Sequence, residues 1–237
     1  MNTYRKAAII VGVLYIIGTI SGFMSLVFTG PIRNAQDSLI SVSTNENQII
    51  FGALFVLIMG LALAMVPVTA FPILRKHNET LALGYVVFRG GLEAVTYMAT
   101  TISWLLLLPL SKVYQAGTPD ASNLQALGGV LLNVEEIADI GGIVFCLGAL
   151  MFYYVLYRSK LIPRWLSGWG LIAIIINLAA VFLSIFGLIG QLSTAGIVLE
   201  IPTGIQEMVM AIWLIVKGFN PSAIASLSAK TVLNEIK

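Results

Sequence analysis

The chain has 237 residues, of which 58% are hydrophobic and only 10% are charged, whereas an ordinary soluble domain carries about 25% charged residues. A soluble core of this length cannot bury so much apolar surface, so the composition excludes a soluble globular protein and favours one membrane domain. The formal net charge of +2 is spread over separate loops, which argues against a nucleic-acid partner because the sequence has no continuous basic stripe. The single cysteine, Cys146, excludes an intramolecular disulfide and a cysteine-rich metal site, and we expect it to be a small core residue.

Six apolar segments follow one another along the chain and predict an all-α, polytopic integral membrane protein with six transmembrane helices in one bundle. The first segment is longer than the roughly 7–15 apolar residues of a signal peptide, so we expect a retained transmembrane helix. Residues 124–134 are expected at the membrane interface or outside it. We expect a transmembrane domain over 1–221 and a cytoplasmic tail over 222–237. The predicted helices span 7–28, 48–71, 81–110, 135–157, 165–189 and 195–217.

The distribution of lysine and arginine between the predicted loops indicates the orientation of the chain. With the N-terminus inside, the outer loops hold only Arg33 and Lys112, and Arg89 falls within the membrane. Both termini are therefore predicted to be cytoplasmic, in a multi-pass protein of the inner (cytoplasmic) cell membrane. The cations on the inner side are Arg5, Lys6, Arg75, Lys76, Arg158, Lys160, Arg164, Lys217, Lys230 and Lys237.

The third segment carries two opposite charges, Arg89 and Glu93, four residues apart. On a helix these positions share a face, so an ion pair is expected. Counted from the inner end of the segment, Glu93 lies roughly 18 Å deep, near the membrane centre. Gly90 and Gly91 are expected to let another helix approach closely. The pair is either part of a functional site or a structural contact that fixes how this helix docks.

The fourth segment begins with three carboxylates, Glu135, Glu136 and Asp139, and helical spacing places Asp139 on one face with both glutamates. In an apolar setting they cannot all be ionised, so either a cation neutralises them or at least one stays protonated. Alternatively, this stretch lies in water at the outer interface, which is the favoured interpretation for Glu135. Asp139 lies deeper and is the better candidate.

The fifth and sixth segments contribute polar groups at a similar depth to Glu93. Asn177 lies twelve residues from Trp165, and Glu207 lies roughly 15 Å from the inner end of its helix. Pro202 predicts either an ordinary kink or a broken helix whose freed carbonyls face a cavity. The simplest arrangement is a polar cavity open to the outer side, with Arg89 as counter-ion. The candidate residues for binding a ligand or ion are Arg89, Glu93, Glu136, Asp139, Asn177 and Glu207.

Three features of the sequence together resemble a known family. They are the stretch from Leu161 to Gly170 (LIPRWLSGWG), the pair Arg89 and Glu93, and the ending that runs from Gln206-Glu207 through the stretch WLIVKGFN at 213–220. This combination is similar to the bacterial membrane proteins grouped as domain of unknown function 4386, over nearly the whole chain. The resemblance implies a six-helix integral membrane protein and brings no activity, substrate or catalytic residue.

Three classes of function remain open. Carboxylates at mid-membrane depth beside a cation favour a transporter of a small solute, coupled to a proton or cation. The alternative is a sensory membrane protein that binds a ligand, a lipid or a partner, and an oligomer is left open. The second alternative is an intramembrane enzyme with a carboxylate-bound metal. A zinc enzyme is disfavoured because the only histidine, His77, lies in a loop. We predict no cofactor and no catalytic residue, and favour a protein that is not an enzyme.

Overall fold

A computed structural model describes residues 3–117, 119–134, 140–190 and 193–225. Throughout this part of the chain the regular structure is helical, as predicted. The helices are α1 (Thr3–Arg33), α2 (Ser38–Thr44), α3 (Glu46–Leu74), α4 (Glu79–Tyr85), a π-helix (Val86–Leu92), α5 (Glu93–Gln115), α6 (Ala121–Leu132), α7 (Ile140–Ser159), α8 (Arg164–Ile185) and α9 (Thr194–Val216). Six of these helical segments are long and apolar enough to cross a membrane: α1, α3, the continuous run Glu79–Gln115, α7, α8 and α9.

Two helices extend past their predicted ends at residues 28 and 71, and a proline lies inside the extension of each. Pro31 lies within α1, and Pro72 lies within α3. A proline removes one backbone donor from the ladder, and a long transmembrane helix tolerates that loss. Residues 135–139 lie outside the described residues, so α7 is seen from Ile140 onward. Of the two alternatives expected at Pro202, an ordinary kink or a broken helix, the broken helix is not observed, since α9 continues through it.

The six spanning segments form a closed ring in chain order. Segment α1 packs against α3 on one side and α9 on the other, and α3 packs against α5 and the π-helix. The run from α4 to α5 in turn packs against α7, α7 against α8, and α8 against α9. Each spanning segment therefore has two neighbours, and any side-chain contact between segments that are not neighbours lies within the ring.

The surface of the ring is apolar, whereas its interior combines a hydrophobic core with buried polar groups. Large aliphatic side chains on the outside remain exposed, for example Leu61 at 60% and Ile172 at 62%. This surface is suited to lipid. Buried polar and charged side chains occur on several spanning helices, among them Arg89, Glu93 and Gln206. The chain is thus an integral, multi-pass membrane protein with polar groups inside its bundle.

The helix α6 lies at one end of the ring, on the side predicted to be outside. Its twelve residues extend about 18 Å, too short to cross the roughly 30 Å hydrocarbon core. The indole Nε1 of Trp104 on α5 donates a hydrogen bond to the carbonyl of Leu132 at the end of α6, at 3.1 Å. The helix α6 is thus not a spanning helix by length, and the expected position of residues 124–134 at the interface or outside it stays a prediction.

Candidate functional site

The candidate site begins with an irregularity in the third spanning segment. Residues Val86–Leu92 form a π-helix, and the N–H of Glu93 donates to the carbonyl of Phe88, five residues earlier. A π-helix inserted in an α-helix is rare and occurs often at functional sites. Arg89 lies in the middle of this π-helix, so its side chain leaves the backbone where the helical register changes.

Two glycines, one on α7 and one in the π-helix itself, let the neighbouring helices α7 and α3 approach the π-helix closely. A Cβ atom added to Gly148 on α7 would lie 3.2 Å from the backbone nitrogen of Arg89. A Cβ atom on Gly90 would lie 3.3 Å from the ring of Pro67 on α3. The sequence predicted a close helix contact at Gly90 and Gly91. The contact is present at Gly90, whereas a Cβ atom on Gly91 would meet nothing within 4 Å.

Arg89 is 2% exposed and lies between two carboxylates. Its Nη1 atom is 3.4 Å from Oε2 of Glu93, and its Nη2 atom donates to Oε1 of Glu207 at 3.2 Å. Its guanidinium also lies 4.4 Å from the ring centre of Phe145 and 5.7 Å from that of Tyr15. The ion pair predicted between Arg89 and Glu93 is therefore present, and a second carboxylate from α9 joins it.

The hydrogen bonding of this charged triad is incomplete. Oε1 of Glu93 accepts a hydrogen bond from the Tyr97 hydroxyl at 2.8 Å. By contrast, the Nε and Nη1 atoms of Arg89 and the Oε2 atom of Glu93 are buried without a hydrogen-bond partner in the structure. The contact between Arg89 and Glu93 is thus an ion pair by distance but not a hydrogen bond by geometry. Buried polar groups normally have a hydrogen-bond partner. The two arginine N–H groups are therefore available to donate to a water or a small polar ligand, and the glutamate oxygen is available to accept a hydrogen bond or a proton.

Two further polar contacts cross the ring beside the triad. The hydroxyls of Tyr15 on α1 and Tyr85 on α4 are 3.2 Å apart. The Tyr153 hydroxyl on α7 donates to the side-chain oxygen of Gln206 on α9, and the Gln206 amide donates to the carbonyl of Leu166 on α8 at 3.1 Å. Together with the contact between Arg89 and Glu207, these bonds place a polar network inside the bundle.

The predicted site residues divide into three groups. Arg89, Glu93 and Glu207 meet in one cluster. Asn177 is buried on α8, but its side-chain oxygen accepts a hydrogen bond from Sγ of Cys146 at 3.4 Å. Cys146 is fully buried, as expected of a core residue. Glu136 and Asp139, the other two candidates, lie outside the described residues.

Sequence reasoning missed several residues of this polar network. Tyr15, Tyr85 and Tyr153 are fully buried with their hydroxyls bonded, yet a tyrosine in an apolar segment is as typical of a membrane interface as of a core. Gln206 could have been predicted as a member of the network, because an amide in the middle of an apolar helix needs a hydrogen-bond partner. Within the described residues, no group of three His, Cys, Asp or Glu side chains is arranged to hold a metal ion.

Comparison with known proteins identifies the family. The chain matches the family described as domain of unknown function DUF4386 over residues 10–218. This covers most of the chain, and the chain belongs to that family. Comparisons with curated proteins and with solved structures give no significant match.

Proposed function

We propose that this DUF4386 protein is a carrier in which the cluster of Arg89, Glu93 and Glu207 takes up a proton or a small cation, coupled to the movement of a small solute. The proposal rests on one observation. A single buried guanidinium lies between two carboxylates that belong to different spanning segments of the ring.

The charges of this cluster support uptake of one further positive charge. Two ionised carboxylates and one guanidinium leave one negative charge without compensation. At the centre of a membrane helix an acidic residue costs about 2.5–3.5 kcal/mol even on the lowest scale. A proton or a small cation on one carboxylate removes this cost. The unsatisfied Oε2 atom of Glu93 can accept a proton or coordinate a cation, and the N–H groups at Nε and Nη1 of Arg89 can donate to a water beside it.

Glu207 is the carboxylate that we assign to the exchange. Its side chain is 14% exposed, against 2% for Glu93. Glu93 accepts a hydrogen bond from Tyr97 and lies next to Arg89 in sequence and in space. Glu207 is held to the cluster by its contact with Arg89. It is therefore the more accessible and the less constrained of the two.

Charge uptake at Glu207 would also change the structure of the ring. An ionised Glu207 attracts Arg89 strongly at 3.2 Å, whereas a protonated or cation-bound Glu207 attracts it less. The contact joins the third and sixth spanning segments, which are not neighbours in the ring. Uptake of the charge would thus favour a conformation in which these two segments separate. A bound proton or cation would in this way shift the equilibrium between two conformations of the carrier.

The experiment that tests the proposal measures charge displacement and needs no knowledge of the solute. Purified protein is reconstituted in proteoliposomes on a solid-supported membrane, and the transient current is recorded after a pH jump and, separately, after a Na⁺ or K⁺ jump. We expect a transient for the wild type in one of these jumps. We expect no such transient for Glu207→Gln, which keeps the size of the side chain and leaves Arg89 paired with Glu93.

The matched control is Glu79→Gln, which removes an exposed carboxylate at the start of α4. It should retain the wild-type transient. Absence of any transient in the wild type, or equal transients in the wild type and Glu207→Gln, would contradict the proposal. Those results would favour the alternative of a ligand- or lipid-binding protein whose buried charges serve to hold its helices together.

A further inference from the structure

A groove of about 550 Å³ lies at the end of the bundle predicted to face the cytoplasm. One wall is the turn between α7 and α8, from Lys160 to Arg164, and the other is the end of α9 with the segment that follows it, from Trp213 to Pro221. None of the cluster residues Arg89, Glu93 and Glu207 lines this groove.

The groove has a defined shape because its two walls are bonded to each other. The backbone N–H of Asn220 donates to the carbonyl of Leu161 at 2.8 Å, and its side-chain amide donates to the carbonyl of Lys160 at 3.3 Å. Gly218 has a φ of +76°, which a residue with a side chain rarely adopts. Phe219 is 5% exposed and anchors the second wall in the core.

The charge of the groove has one sign. Lys160, Arg164 and Lys217 line it and are exposed, and its lining includes no carboxylate. Among the described residues none of these three cations forms an ion pair. Arg5 also lies beside Gly218, but its guanidinium donates to the last carbonyls of α9. The groove is thus complementary to an anion.

An apolar surface continues from the groove into the lipid-facing side of the ring. Trp213 lines the groove, and its ring meets that of Trp165 edge to face, with ring centres 6.4 Å apart. Tryptophan is enriched at the membrane interface. On the adjoining surface Ile212 and Val216 are 57% and 62% exposed. A ligand that fits both parts has an anionic group and an apolar body.

We infer that this groove binds the headgroup of an anionic phospholipid, with its phosphate near Lys160, Arg164 and Lys217 and its acyl chains along Ile212 and Val216. Basic pockets between membrane helices on the cytoplasmic side are suited to such headgroups. The apolar surface beside the cations favours a phospholipid over a free anion. The inference is independent of the proposed carrier function, since it concerns other residues at another depth.

The test compares lipid binding to the purified full chain in detergent. Dioleoylphosphatidylglycerol and dioleoylphosphatidylcholine, which have the same acyl chains, are titrated and bound lipids are counted by native mass spectrometry. The groove variant is Lys160→Gln, Arg164→Gln and Lys217→Gln together. The control variant removes three cations at the same end that do not line the groove, Lys6→Gln, Arg75→Gln and Arg158→Gln.

We expect the wild type to bind the anionic lipid at least ten-fold more tightly than the zwitterionic lipid. Each cation near an anionic surface contributes about five-fold in affinity, so the groove variant should lose most of the preference and the control variant should keep it. A similar loss in both variants, or no preference in the wild type, would overturn the inference in favour of a diffuse positive charge. Displacement of the lipid by millimolar inorganic phosphate would overturn it in favour of a soluble anion. The single variant Arg164→Gln should give a partial loss, provided that it elutes as the wild type does on size exclusion.

Discussion

Nη2 of Arg89 lies 3.2 Å from Oε1 of Glu207, and this contact joins the third and sixth spanning segments across the interior of the ring. On its other side the same guanidinium lies 3.4 Å from Glu93. One cation is thus shared by two carboxylates that are both largely buried. This arrangement is the basis of the proposed charge uptake, and it also predicts how the stability of the fold depends on each member.

Removing Arg89 should destabilise the protein more than removing either carboxylate. Arg89→Gln leaves two buried carboxylates side by side, and loss of one partner from a buried ion pair typically costs about 3–5 kcal/mol. Glu207→Gln leaves one cation paired with one carboxylate and should unfold within a few degrees of the wild type. Thermal unfolding in detergent measures both.

The triple variant Arg89→Gln, Glu93→Gln and Glu207→Gln is the control for charge, because it leaves no ion in this cluster. It should recover part of the stability that Arg89→Gln loses. An unfolding temperature of Arg89→Gln equal to that of the wild type would show that the three charges do not interact as the geometry indicates.

The tyrosine that bonds to Gln206 should contribute measurably to stability. Tyr153→Phe leaves the side-chain oxygen of Gln206 without its donor, and a buried group left without its hydrogen bond costs about 1–3 kcal/mol. The neighbouring Tyr154 is 47% exposed, so Tyr154→Phe is a matched control and should be nearly neutral. The difference in unfolding temperature between the two variants is the measurement, and equal values would contradict the assigned role of Tyr153.

Close contact between the first and last spanning helices depends on Gly12. A Cβ atom at this position would lie 2.6 Å from the carbonyl oxygen of Ala211 on α9, which is backbone and cannot move away easily. Gly12→Ala should therefore cost about 1–3 kcal/mol. A Cβ atom on Gly204 would meet nothing within 4 Å, so Gly204→Ala should be neutral or slightly stabilising. Unfolding of both variants in the same detergent tests this, and a loss in Gly204→Ala alone would reject it.

The predicted orientation can be tested by cysteine labelling in a Cys146→Ala background. Thr44→Cys lies at the end of α2, in the loop predicted to be outside, and Glu79→Cys lies in the loop predicted to be inside. Both positions are exposed. A membrane-impermeant maleimide applied to intact cells should label only Thr44→Cys, and it should label both variants after permeabilisation. The reverse pattern would place both termini outside.

Hydropathy was sufficient to predict the six spanning helices, because a continuous apolar run of this length has few other structural solutions. It did not predict helix ends, since Pro31 and Pro72 continue their helices. The spacing of Arg89 and Glu93 predicted their ion pair, and depth along the helix predicted that Glu207 lies at a similar level.

The other features of the site could not be predicted from the sequence, because no residue pattern indicates them. The π-helix at Val86–Leu92 has no residue pattern of its own, so α-helical spacing was assumed there. The closure of the ring, which brings Tyr15 to Tyr85, follows from packing between segments far apart in sequence. Asn177 is predicted to lie at a depth similar to that of Glu207 but accepts its hydrogen bond from Cys146, because depth does not determine which way a side chain points.

The most direct measurement of the central claim is the protonation state of Glu207 itself. Infrared difference spectra are recorded on reconstituted protein between high and low pH, and again between low and high Na⁺ or K⁺ concentration. We predict a carboxyl or carboxylate band that responds to one of these changes, is absent in Glu207→Gln and is retained in Glu79→Gln. A spectrum in which the same band persists in Glu207→Gln would contradict the claim that Glu207 exchanges a proton or a cation.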